Sequence, residues 1–319
     1  MSDLPLLGLT ILDMSYRLPG PFGTKVLSEL GAKVLKVEDI NFKDPFLTTP
    51  LAEIDPVFSK WYNHLNQKKQ IMRFDFSKQS TNDDLKDLIS QSDVLVMGLP
   101  KKIQTKLNLT QTKLKNIKRP LAVIEILASQ TTRPVHDLNA MAESDLLSLY
   151  TANKDESILP PPFLPIAGLS FGQQIATEVL AQYILSQKSK TLNWHQIFLL
   201  DTIKSLLSPL WPKEEKSNQK TTFLHNGKFP CYSLYRTKDH HYIALAAIEK
   251  KYWIKFCQCF NLAHLNELQF SIQDNTVFKE LSNVFLNMTA SEVKNKTDRN
   301  DFCLSIVYPA SSFSANNSQ

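Results

Sequence analysis

Few residues of this chain stand where their types and spacing could do chemistry, and each has a plain structural reading beside the chemical one. His136, within Val135-His136-Asp137-Leu138-Asn139, carries an imidazole whose ordinary pKa of about 6.5 lets it take and give a proton near neutrality; the other reading is a core histidine satisfied by a backbone carbonyl. Asp137 beside it reads as the cap of a helix expected over residues 138–149. Glu249 opens a helix expected over residues 249–260, either as a first-turn charge facing the helix dipole or as support for a catalytic group. Lys68 and Lys69 run directly into a strand, as phosphate donors or as a solvated pair. Ser170 opens another helix with no activating base apparent, so it reads as an N-cap rather than a nucleophile.

The elements that must position these residues follow from hydropathy. Residues 9–14 (LTILDM) read as a buried strand, LPGPFG as a turn, residues 24–30 as a helix and residues 33–37 as a second strand, which together make a βαβ unit of the parallel, doubly wound kind. Asp83 and Asp84 open a short helix carrying Leu85, Leu88 and Ile89, and strands follow at residues 94–97 and 121–127. Beyond a proline cluster lie helices expected over residues 169–185 and 195–207. Tyr232, Leu234 and Tyr235, a turn at Lys238-Asp239 and then Tyr242 to Leu245 read as an antiparallel hairpin. The expected class is α/β: a large domain over residues 1–205, open to completion by residues 300–312, a small α+β domain over residues 220–300 and a frayed tail at residues 313–319.

Composition limits the partners. With 319 residues, 43% hydrophobic and 21% charged, the chain can bury a sizeable core as one or two domains. Its net charge of +5 is spread over scattered lysines, and no aromatic-basic motif or recognition helix is present, so small anionic ligands are favoured and nucleic acid is not. Four cysteines fit neither a disulfide framework nor a zinc knuckle; no metal is expected, and a reducing compartment is the default. Without a leader-like start or an apolar run of roughly 20 residues, the expectation is a cytoplasmic protein that does not enter membranes. Glycine is scarce, 8 in all against roughly 7% of average usage, so few backbone loops can approach a ligand closely.

Several segments, in order, resemble the family III CoA-transferases, a group that includes carnitine and formyl CoA-transferases and the α-methylacyl-CoA racemases. LLGLTILDMSYRLPGPFGTKVLSELGAKVLKVE at residues 6–38 is similar to the family's opening, and its Pro-Gly-Pro-Phe is nearer the racemase branch. NQKKQIMRFDFS at residues 66–77 resembles the stretch lining the CoA groove, and His136 to Asn139 resembles the racemase motif G-H-D-I-N. The most specific match is GKFPCYSLYRTKDHHYIALAAIEKKY at residues 227–252.

The resemblance implies a Rossmann-like large domain, a small domain and an interlocked homodimer; family members continue beyond the end of this sequence with a segment returning to the large domain. It implies CoA, as part of an acyl-CoA substrate, and no other cofactor. Lys68, Lys69, Phe74, Asp75, Phe76 and Ser77 would lie along the CoA groove, with Val135, Asp137, Leu138 and Asn139 around the motif histidine. Racemisation needs an acid and a base acting on the α-carbon of a thioester, with the enolate oxygen stabilised between them. The resemblance gives one of these roles to His136, puts Glu249 in support of the other, and places Gly168 where that other group, an aspartate, belongs. The transferase branch uses the same position as its nucleophile. Asp39 stands where the family has an arginine, residues 127–134 replace a glycine-rich loop, and Gly172 alone remains of a later glycine run. Two functions follow as expectations: an acyl-CoA protein exchanging the α-proton of a 2-methylacyl thioester, or a non-catalytic descendant that binds CoA or a partner.

Overall fold

The computed structural model describes residues 4–48, 50–131, 133–151, 157–209, 224–272, 275–298 and 302–308. The chain divides into two compact units, Met1–Glu214 and Glu215–Gln319.

The first unit is built on strands β1 (Thr10–Met14), β2 (Lys33–Asp39), β3 (Gln70–Phe74), β4 (Val94–Met97), β5 (Leu121–Leu127) and β6 (Leu192–Phe198). They form one parallel sheet in the order β3-β2-β1-β4-β5-β6. Successive strand side chains point to opposite faces, so Ile11, Val34, Val94 and Ala122 join one core while Leu12, Leu35, Leu95 and Val123 join the other. Both faces are covered, which is why these strands read as nearly continuous apolar runs.

The elements next to β1 and at β6 differ from the sequence reading. The segment LPGPFG is not a turn: the helix runs over Pro19–Glu29, with proline in its first turn, where the lost N–H has no intrahelical partner to miss. Its glycines serve packing. The long helix Ile166–Ser189 crosses it so closely that a Cβ on Gly23 would stand 2.7 Å from the Gly172 carbonyl oxygen, and one on Gly172 2.5 Å from Phe22 Cδ1. The second difference is at residues 195–207, where His195 to Phe198 belong to β6 and the helix begins only at Leu199. Pairing along β5, from Leu121 opposite Leu192 to Leu127 opposite Phe198, overrides the helical spacing of the apolar residues.

The second unit has an antiparallel sheet of β7 (Tyr232–Arg236), β8 (Tyr242–Ala246) and β9 (Leu304–Val307), in that order. The expected hairpin is β7 and β8. Helices Lys250–Cys259 and Asn275–Leu286 supply Trp253, Phe256 and Phe285 to its core, together with Phe302. Residues 304–307, left open as a completion of the large domain, instead pair with β8, and Leu304 and Ile306 pack on this core. The expected tail at residues 313–319 lies outside the described residues. Among the described residues, no helix is long and apolar enough to cross a membrane.

Candidate active site

In a parallel sheet of this order the chain leaves β1 toward one side and β4 toward the other, which opens a crevice at the carboxyl ends of the strands. A cavity of about 750 Å³ occupies this end of the first unit. Tyr16 and Arg17 come to it from the end of β1, Asp39 from the end of β2, Gly98 from β4 and Ile126 from β5. Its lining is mostly apolar. One wall is an aromatic cluster in which the rings of Phe46 and Phe58 lie 5.3 Å apart, and those of Phe58 and Trp61 5.6 Å apart.

Asp44 assembles this wall. It is buried, and its two oxygens accept the N–H groups of Phe46 and Arg17, each at 2.9 Å. Arg17 sits at φ 63°, a left-handed conformation that non-glycine residues rarely adopt, at the turn between β1 and the Pro19–Glu29 helix.

His136 lines the cavity and is exposed, so it is not a core histidine. It occupies the cap position of a short helix, Asp137–Glu143, where its N–H donates to Asn139 Oδ1 at 3.1 Å. The helix expected over residues 138–149 is broken, with Asp145 at φ 64° ahead of a second helix, Leu146–Thr151. Asp137 does not cap its own helix. Its Oδ1 accepts the Gly168 N–H at 2.6 Å and so caps the long Ile166–Ser189 helix from across the cavity lining. Burial pushes the Asp137 carboxyl above the usual carboxylate range, opposed by the N–H groups of Gly168 and Ala167.

Gly168 lies in the first turn of that helix and also lines the cavity. A Cβ there would stand 3.1 Å from Leu18 Cδ2 and 3.5 Å from Asp137 Oδ1. Ser170 is inside the helix, whose cap position belongs to Pro165, so the N-cap reading of Ser170 is corrected.

Of the residues assigned to CoA, Phe76, Val135 and Asp137 line the cavity, whereas Lys68, Lys69, Phe74, Asp75, Ser77, Leu138 and Asn139 fall outside its lining. Lys68 is exposed. Lys69 is neither a phosphate donor nor a solvated charge: its side chain is buried and its ammonium donates to Asp13 Oδ2 at 3.1 Å, Thr24 Oγ1 at 2.7 Å and the Pro21 carbonyl at 2.8 Å. Lys36 approaches the same carboxylate at 3.8 Å and donates to the Ser15 carbonyl. Burial alone would raise the Asp13 carboxyl, but Lys36 and Lys69, together with the hydroxyls of Ser15 and Thr24, outweigh it and hold it far below its usual range, while burial pushes Lys69 down to about 8. Glu249 belongs to the second unit, exposed at the cap position of the Lys250–Cys259 helix. Among the described residues, no group of three metal-ligating side chains is present.

Sequence reasoning missed the aromatic wall, Arg17 and the Asp13 cluster. The signals were there: five aromatics (Phe42, Phe46, Phe58, Trp61 and Tyr62) between β2 and β3, and charged residues inside two strands that otherwise read as buried.

Residues 6–318 match the family model of CoA-transferase family III. A CaiB/baiF CoA-transferase family protein of Caenorhabditis elegans is 22% identical over 311 residues, which cover 95% of this chain and 85% of the worm protein. Human alpha-methylacyl-CoA racemase is 25% identical over 319 residues, covering 95% of this chain and 78% of the human one. Among solved structures, a CAIB/BAIF family protein from Brucella suis matches with a TM-score of 0.78 at 17% identity, over 99% of this chain and 87% of the other. At that identity the likeness is one of fold.

Proposed function

The chain belongs to CoA-transferase family III, and from that premise we propose that it binds an acyl-CoA thioester in the cavity at the carboxyl end of its parallel sheet, with His136 exchanging the proton on the α-carbon. The observation that carries this reading is the placement of an exposed imidazole in a largely apolar cavity at the switch point of the sheet. An apolar acyl group is suited to the Phe46, Phe58 and Trp61 wall. A 2-methylacyl thioester is the first substrate to try, since one relative is a racemase of alpha-methylacyl-CoA.

The experiment has two stages. Calorimetric titration with CoA and a 2-methylacyl-CoA measures binding, and NMR in heavy water then follows deuterium entering the α-position. Saturable binding with wash-in is expected, and His136→Gln should slow wash-in for the enantiomer whose α-proton faces the imidazole by about 10² to 10⁴, the usual value of a positioned base. Absence of saturable binding would end this reading. A second reading, a CoA-binding protein without turnover, is favoured by Gly168: it offers no carboxylate for a mixed anhydride, and Leu18 already crowds the space its Cβ would take. Binding without wash-in would select that reading.

A further inference from the structure

We propose that Asp137 is the second proton-transfer group of this cavity, its carboxylate lying beside the space that a side chain at position 168 would enter. The inference rests on the acyl-CoA reading above and adds to it a residue that takes over a role for which Gly168 has no atoms.

The geometry is specific. Asp137 and Gly168 lie in different segments of the lining, 31 residues apart, yet Asp137 Oδ1 is bonded to the Gly168 N–H at 2.6 Å and stands 3.5 Å from where a Cβ on Gly168 would be. A carboxylate is therefore present next to position 168, delivered from outside the helix instead of growing from it. The Gly168 N–H bonds to Oδ1 and the Ala167 N–H also acts on the carboxylate, but Asp137 has no cation partner among the described ion pairs, in contrast to Asp13, which is shared between Lys36 and Lys69. Its half-buried setting moves the carboxyl toward stronger proton affinity, the direction a base needs. His136, the neighbouring residue, lines the same cavity, so two groups able to hold a proton converge there.

The step balances without another reactant. The Asp137 carboxylate takes the α-proton; the C–H electron pair becomes the C=C bond of the enolate and the carbonyl π pair moves onto oxygen. When the enolate collapses, the α-carbon takes a proton from the His136 imidazolium, acting from the other side. Asp137 then loses its proton to water and His136 regains one. The opposite enantiomer runs the same sequence in reverse.

The test uses the full chain, with the two enantiomers of a 2-methylacyl-CoA supplied separately in heavy water. Asp137→Asn keeps an oxygen to accept the Gly168 N–H and removes the base. In this variant, inversion should fall at least about 10²-fold. Wash-in should persist for the one enantiomer whose α-proton faces His136, with acyl-CoA affinity and melting temperature unchanged. His136→Gln should show the mirror result, wash-in for the other enantiomer only. Asp137→Glu, which keeps a carboxylate, should recover part of the inversion.

Inversion at the wild-type rate in Asp137→Asn overturns the proposal. So does an equal fall in wash-in for both enantiomers accompanied by loss of affinity or a lowered melting temperature, because that marks a purely structural cap. Wild-type protein that binds the thioester but inverts neither enantiomer overturns the proposal while leaving the binding reading in place, whereas absence of binding removes the binding reading itself.

Discussion

Replacing Lys69 separates a structural charge from a ligand-binding one. Its ammonium makes three hydrogen bonds inside the first unit, to Asp13, Thr24 and Pro21. At a net ~0.5–1.5 kcal/mol each these are worth about 3 kcal/mol, but Lys69→Met also removes a desolvation cost large enough to have pushed the amine down to about 8. Lys36 stays beside Asp13, so no carboxylate is orphaned and a net loss of about 1–2 kcal/mol is expected. Asp13→Asn is the harsher change: it leaves two buried ammonium groups without a counter-charge, for which about 3–5 kcal/mol is typical. Urea unfolding at pH 7 of both variants measures the ranking, and calorimetric titration with CoA should give wild-type affinity for Lys69→Met. The pH dependence adds a second readout. Because the folded amine titrates at about 8 and the unfolded one at about 10.5, the unfolded chain binds more protons between those values. Wild-type stability relative to Lys69→Met therefore rises with pH across that window and falls back as pH drops through 8. A Lys69→Met protein that is fully stable yet binds CoA weakly, or an Asp13→Asn protein milder than Lys69→Met, would refute the reasoning.

Three further outcomes are expected. Gly168→Asp should destabilise by about 1–3 kcal/mol at pH 7, since its side chain must displace Leu18 and sit beside the Asp137 carboxylate; like charges raise the folded pKa of the pair, so the loss should grow as pH rises from 4 to 7 in thermal melts. Trp61→Ala should weaken binding of a long-chain acyl-CoA by about 1–3 kcal/mol and leave free CoA unaffected, because the ring belongs to the apolar wall; equal losses for both ligands in calorimetry would count against that placement. Asp44→Ala should cost about 2–4 kcal/mol in chemical denaturation, as it leaves the N–H groups of Phe46 and Arg17 without their carboxylate; a change below 1 kcal/mol would show that Asp44 does not hold the wall.

The parallel sheet was legible because its strands are short apolar runs broken by turns, and the residue 121–127 strand was read with the ends it has in the structure. β6 was not, since Trp194, Ile197, Leu200 and Ile203 also fit a helical spacing and only pairing with β5 decides between the two. His136 could be picked out by its neighbours in sequence, but the bond from Gly168 to Asp137 spans segments whose approach depends on the path of the long helix. Lys69 misled because a lysine before a strand looks solvated; its burial is a tertiary fact, set by an aspartate 56 residues earlier. The glycines misled in the same way, since nothing local distinguishes a residue that admits a ligand from one that admits another helix.

Gly23 and Gly172 therefore constrain each other's mutational history. Each faces the opposing helix at the crossing, so a side chain gained at Gly23 collides with the Gly172 carbonyl and Ile175, and one gained at Gly172 collides with Phe22 and the Pro19 carbonyl. Neither single step to a larger residue is open without shifting one helix against the other, and reversal at one site does not free its partner. The crossing is therefore a fixed point of the fold, holding the helix that carries Gly168 in register with the helix that follows β1.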